Sequence, residues 1–180
     1  MTSAPSTQRL IEMSGPFEAV YRAEFKAVWR LLVRLGVPLG SAEDLVQDVF
    51  FTAHQKWSDF DPSRSARAWL FGIAYRRASD FRALKRHQVE VADDASAHRV
   101  EAPPGPAVER RDAQRVLDAA LAQMSPEARA VFVMHELEER PVPEIAEIME
   151  TPVPTAYTRL RSARQTFAAV IARHGRSDHE

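Results

Sequence analysis

The stretch EIAEIMETPVPTAYTRLRSAR, from Glu144 to Arg164, constrains the fold more than any other part of the chain. Two apolar-periodic runs flank a Pro-containing turn, which reads as helix, tight turn, helix. On the second helix Ala156, Leu160, Ala163, Phe167, Val170 and Ile171 recur at the spacing of one buried stripe. At about 100° per residue, Thr158, Arg161, Ser162 and Gln165 lie across from that stripe, with Thr155, Tyr157, Arg159 and Arg164 on its flanks.

These exposed groups donate hydrogen bonds and seek phosphates. A recognition helix meets base edges with its first turns, where Arg bonds guanine and Thr bonds a base or touches a thymine methyl. Thr155, Thr158 and Arg161 occupy those turns. Arg159 and Arg164 point further round and suit phosphates, which fix register without reading sequence. The same pattern also fits an amphipathic helix with a merely solvated Arg face.

From His87 to Pro106 the chain becomes HQVEVADDASAHRVEAPPGP, with no apolar periodicity. Such a segment buries too little surface to offset its ordering entropy. The expectation is an all-α chain: a disordered tail over 1–15, a helical domain over 16–86, a linker over 87–106, a helix-turn-helix domain over 107–175 and a short tail over 176–180. The chain has no cysteine, which excludes disulfides and thiolate chemistry and fits a reducing cytoplasm. The opening MTSAPSTQRLIEMSG lacks a basic segment followed by an apolar run, and charges break every later apolar stretch, so neither signal peptide nor membrane insertion is expected. Net charge is −1, yet from Arg64 to Arg86 seven basic residues stand against the single acid Asp80. Local patches, more than the total, set the field that a phosphate backbone meets.

In the first domain, helices are expected to begin near Phe17, Ser41 and Ser65. Ser41 and Asp44 have capping-box spacing, and that helix should run to about Trp57. It buries Ala42, Leu45, Val46, Val49, Phe50 and Ala53 and presents Asp44, Asp48, Phe51 and Gln55 opposite, with Gln47 alongside. A large aromatic on a carboxylate face marks a docking surface for a basic partner, unless a neighbouring segment covers Phe51. Glu43, Asp44, Asp48 and His54 resemble metal-ligand ingredients, but a bundle site needs carboxylates and His converging from several helices, so no metal is expected. His135 and Glu136 read as ordinary helix residues, and no catalytic residue or cofactor fingerprint is found.

The third helix, about Ala66 to Arg86, has a core stripe of Ala66, Trp69, Leu70, Ile73, Ala74, Phe81 and Leu84. Phe71, Tyr75, Arg82 and Arg86 fall opposite, with Ala78 and Ser79 between, an expected exposed strip of rings and guanidiniums. Rings stack on unpaired bases while Arg tracks the backbone, the combination that holds single-stranded nucleic acid. Arg77 and Asp80 fall on the apolar side and are expected to pair with each other or a neighbour.

A duplex reader, a single-strand holder and an acidic docking helix in one chain resemble an extracytoplasmic-function sigma factor of the sigma-70 family. AEDLVQDVF at Ala42 to Phe50 is similar to the family's polymerase-binding helix, and ARAWLFGIAYRRASDFR at Ala66 to Arg82 to the segment that melts and reads the minus-10 element. SPEARAVFVMHELEE and the helix-turn-helix after it resemble the domain that reads the minus-35 element. The resemblance implies that Asp44, Gln47, Asp48 and Phe51 meet the clamp of the largest subunit of core RNA polymerase, and that the second domain meets the flap. It implies that Phe71, Tyr75, Arg76, Ser79, Arg82 and Arg86 hold minus-10 DNA, and that Thr155, Tyr157, Thr158, Arg159, Arg161, Ser162 and Arg164 hold minus-35 DNA. It further implies an anti-sigma partner and a linker whose acids mimic nucleic acid near the polymerase channel. Arg76 stands where the family commonly has Asn, Ala83 replaces a usual Arg, Glu150 stands where Gly is usual, and Pro154 replaces a second frequent Gly. The rival readings are a stand-alone helix-turn-helix regulator, which needs no polymerase, and a helical adaptor, whose DNA binding would lack steep salt dependence.

Overall fold

Pro16 opens helix α1, Pro16–Arg34, at a position where its missing amide would go unpaired anyway. Glu18 in the first turn and Arg34 in the last sit at the ends that the helix dipole favours. The helix closes in a Schellman turn. Val37 donates its amide to the Leu32 carbonyl at 3.1 Å, Gly36 to Val33 at 2.9 Å, and Gly36 takes φ 96°. The computed structural model describes residues 15–91 and 108–177, and no strand occurs among them.

Helix α2, Leu39–Gln55, starts three residues earlier than the capping-box reading of Ser41 implies. Pro38, at φ −59° and ψ 145°, is the N-cap, and the Ser41 amide donates to its carbonyl at 2.9 Å. Ser41 therefore lies inside the first turn and caps nothing. A short 3₁₀ turn, Trp57–Asp59, carries the chain towards α3, Ala66–Val91. Ser65 Oγ accepts the Ala68 amide at the start of α3. The far end of α3 runs five residues into the expected linker. Most of that linker and residues 1–14 of the expected tail lie outside the described residues.

The first core joins Leu31, Leu32, Phe17, Phe50 and Leu70, all essentially inaccessible. Full burial of each such side chain contributes about 1.5–3 kcal/mol before entropy is counted. Phe17, Trp57, Phe60 and Trp69 extend it as a run of aromatic contacts, each with ring centroids 5.0 Å apart.

The second domain comprises α4, Val108–Ala122, α5, Pro126–Phe132, a π-helical turn over Val133–Leu137, α6, Val142–Ile148, and α7, Val153–Ser177. Ser125 caps α5 by accepting the Ala128 amide, with Pro126 just inside. Helix α7 packs on α4, α5 and α6, burying Ala156, Leu160, Ala163 and Val170. Ile171, expected on the same stripe, is 46% exposed, one position round the helix from the buried Val170.

The two domains are in contact. Helix α3 packs on α1 and α2 and also on α6, and α1 meets the π-helical turn. Consecutive residues Leu70 to Ala74 are all buried. Five successive helical positions sweep more than a full turn, so the middle of α3 is wrapped on every side. This overturns the expected exposed strip at Phe71, which is 0% exposed. Leu84, expected in the core, is 58% exposed where α3 outruns its partners. Arg77 and Asp80, expected on the apolar side, are both exposed, and Arg77 donates to Thr52 Oγ1 of α2 at 2.9 Å.

Candidate polymerase and nucleic-acid interfaces

On α2, the burial of Ala42, Val46, Val49, Phe50 and Ala53 fixes the rotation of the helix. Asp44, Gln47 and Asp48 consequently face solvent in one line, and Phe51 is 49% exposed beside them. The carboxylates and the ring share one open surface, which suits a cationic partner that also offers apolar stems.

On α3, Arg76 and Arg86 are exposed, while Tyr75, Ser79 and Arg82 are half-buried. Ser79 Oγ donates to the Tyr75 carbonyl at 2.9 Å and accepts from Arg82 Nη2 at 3.0 Å. Arg82 Nη1 also donates to the Leu35 carbonyl at 3.2 Å, just past the end of α1. A cation suits the negative end of a helix dipole. Burial pushes the Arg82 guanidinium below its ordinary pKa, although an arginine stays charged at any physiological pH. The structure thus brings Tyr75, Ser79, Arg82 and Arg86 to one side of α3, sets Arg76 about 100° round the helix from Tyr75, and leaves Phe71 inside the protein.

On α7, Tyr157, Thr158, Arg161, Ser162, Arg164 and Gln165 are exposed, with Thr155 and Arg159 half-buried beside them. Thr158 Oγ1 donates back to the Pro154 carbonyl at 3.0 Å, which uses its one proton and leaves the hydroxyl able only to accept. Arg159 donates to Thr151 Oγ1 at 3.3 Å, and Arg164 pairs with Glu136 at 2.7 Å. The turn before α7 is a second Schellman closure: Thr151 donates its amide to Ala146 at 2.9 Å, and Glu150 to Glu147 at 3.1 Å. Glu150 sits at φ 50°, the left-handed conformation that glycine adopts freely. Pro154 is the second residue of α7, where it needs no amide partner.

Sequence reasoning missed a set of charged residues between the domains. Arg34 pairs with Glu138 at 3.0 Å, Arg64 with Glu147 at 2.6 Å, and Arg76 with Glu150 at 2.9 Å. Arg129 of α5 donates to the Arg34 carbonyl, its guanidinium lying against Gly36. Burial, reinforced by the nearby Arg82 charge, pushes Arg129 below its ordinary pKa. Glu138 is the one buried charged side chain among the described residues. Each partner lies tens of residues from the other in sequence, so no local spacing announces these pairs.

The chain matches two family models, described as Sigma-70 region 2 over residues 20–88 and Sigma-70, region 4 over residues 114–167. The RNA polymerase sigma factor CnrH of Cupriavidus metallidurans is 27% identical over 145 residues, 76% of each chain. The ECF RNA polymerase sigma factor SigL of Mycobacterium tuberculosis is 34% identical over 116 residues, 63% of this chain and 65% of its own. Among solved structures, the sigma factor RpoE in complex with the anti-sigma factor NepR from Bartonella quintana superposes with a TM-score of 0.77 at 22% identity, covering 87% of this chain and 96% of that one. CnrH in complex with the cytosolic domain of CnrY gives 0.65 at 23% identity, covering 93% and 94%. The chain belongs to the sigma-70 family of bacterial RNA polymerase, as an extracytoplasmic-function sigma factor that directs transcription initiation. Sigma factors are non-catalytic subunits that bind core RNA polymerase. None of the described helices is long and apolar enough to cross a membrane.

Proposed function

We propose that residues 16–86 dock on core polymerase and hold the melted minus-10 strand, while residues 107–175 read the minus-35 duplex, the two acting in the cytoplasm. One observation carries the polymerase-docking reading: Asp44, Gln47, Asp48 and Phe51 form an open acidic line on a helix whose other face is locked into the core. A basic coiled coil on the clamp of the largest subunit fits that line, and the flap receives the second domain. Thr155, Thr158, Arg161 and Ser162 address base edges, and Tyr157, Arg159 and Arg164 address the backbone, the last two by exchanging an internal partner for phosphate.

Tyr75, Arg76, Ser79, Arg82 and Arg86 hold the unpaired strand. An unstacked base bound there is read and kept melted in one step, since binding offsets its lost stacking. Phe71 supports that face from within rather than stacking on a base. Because RpoE is held by the anti-sigma factor NepR, we propose that an anti-sigma factor likewise controls this chain.

Co-elution of the purified chain with bacterial core RNA polymerase on a sizing column tests the docking surface. The native chain is expected to co-elute, and Asp48→Arg is expected to lose co-elution with unchanged circular dichroism. Undiminished co-elution of a folded Asp48→Arg chain would remove α2 as the docking surface. Duplex binding without any co-elution would favour the stand-alone regulator.

A further inference from the structure

Among the described residues six large hydrophobic side chains are exposed, and two of them, Val153 at 38% and Tyr157 at 55%, stand four apart at the start of α7. Residues four apart on a helix are neighbours on one face, and the same row runs on to Arg161 and Gln165, both exposed. An apolar strip therefore heads the face that carries Thr158, Arg161 and Ser162. A solitary exposed valine requires no explanation. A valine and a tyrosine in one row, on the first turns of a helix that enters a groove, require an apolar group to meet.

We propose that Val153, backed by the ring of Tyr157, reads the C5-methyl group of a thymine in the minus-35 duplex, and so determines specificity beside Thr158 and Arg161. This role rests on the assignment of α7 to the minus-35 duplex made above.

The chemistry of the groove leaves one partner. Base edges in the major groove present nitrogen and oxygen donors and acceptors, and the thymine methyl is the apolar group among them. Valine offers no hydrogen bond. Set against a ring nitrogen, a carbonyl or an exocyclic amine, it would strip that group of water and return nothing, so it discriminates by exclusion as well as by attraction. The surroundings favour DNA over a protein as the partner. Helix α7 contains no acidic residue, while Arg159, Arg161 and Arg164 follow the strip and suit a polyanion. Tyr157 fits both tasks, with an apolar ring for the strip and a hydroxyl for the backbone.

Val153 is also held ready for contact. Pro152 and Pro154 fix the backbone on either side, and the Ala156 amide donates to the Pro152 carbonyl at 3.1 Å, which closes the first turn. The side chain is β-branched and stiff at χ1. Meeting a methyl group therefore costs little further freedom.

The test begins with the preferred minus-35 duplex, selected from a random-sequence pool by the full chain bound to core RNA polymerase. Each thymine in it is then replaced singly by deoxyuridine, which lacks only the methyl group. At one thymine the native chain is expected to lose about 4-fold in affinity, the effect of one methyl group withdrawn from water. Val153→Ala, with unchanged circular dichroism because the side chain is exposed, should bind the thymine duplex more weakly and lose less than about 2-fold further on that replacement.

Deoxyuridine tolerated at every thymine, or the same 4-fold loss persisting in Val153→Ala, overturns Val153 as the reader while leaving α7 on the duplex. Loss of co-elution with core polymerase in Val153→Ala overturns it in favour of a protein-docking strip. Failure to select any sequence overturns the assignment of α7 itself, and the role of Val153 with it.

Discussion

Helices α3 and α7 are both assigned to DNA, and the protein treats them in opposite ways. Helix α7 has neighbours on one side only, so its apolar stripe of Ala156, Leu160 and Ala163 is buried and the line through Thr158, Arg161 and Ser162 is open. Helix α3 lies between its own domain and α6, and its middle is buried all round from Leu70 to Ala74. Helical periodicity locates a face reliably when a helix is covered from one side. Where a helix is enclosed, side chains that the period assigns to solvent are buried, and Phe71 is the residue on which the two cases part.

Phe71→Ala gives the largest expected effect on that contrast. Removing a fully buried ring should cost about 3–5 kcal/mol of stability in chemical denaturation, whereas Arg161→Ala should leave stability within about 0.5 kcal/mol. Equal, small losses in both variants would put Phe71 back on the surface.

Arg161→Ala should instead weaken binding to the preferred minus-35 duplex by about 1–3 kcal/mol, with the loss confined to one or two base positions. A uniform loss on all sequences, with a shallower salt slope, would reassign Arg161 to phosphate contact.

The two Schellman turns refine the comparison further, since Gly36 and Glu150 occupy equivalent positions at φ 96° and φ 50°. Gly36→Ala should destabilise by about 1–2 kcal/mol from the left-handed backbone alone, and its Cβ would also stand 3.1 Å from Arg129 Nη1. Glu150→Gly should have the smallest effect, a gain of at most about 1 kcal/mol, because relief of strain is partly offset by greater freedom in the unfolded chain. Thermal unfolding of both variants checks the signs. A loss at Glu150→Gly as large as that at Gly36→Ala would mean that the Arg76 pair outweighs the backbone strain.

Much of this architecture was legible from residue spacing. The acidic line of Asp44, Gln47 and Asp48 follows from the apolar period of α2, and the exposed face of α7 from its own. Three features were not legible, for different physical reasons. The start of α2 depends on Pro38, whose fixed φ begins the helix before Ser41 can cap it. Leu84 keeps the core period but lies where α3 outruns the elements that would cover it, and Ile171 lies at the edge of the α7 stripe, one position past the buried Val170. The pairs Arg34–Glu138, Arg64–Glu147 and Arg76–Glu150 depend on how two domains meet, which no local pattern encodes. Glu150 was visible in the sequence only as an uncomfortable residue in a turn. Its reach to Arg76 supplies a reason for it.

The most direct test of the division of labour compares two probes on the chain bound to core RNA polymerase: a minus-35 duplex and a forked minus-10 template with an unpaired nontemplate strand. Arg161→Ala is expected to weaken the duplex probe and spare the fork, and Tyr75→Ala to weaken the fork and spare the duplex. If both substitutions weakened the same probe, or neither affected its own, the assignment of single strand to α3 and duplex to α7 would be contradicted.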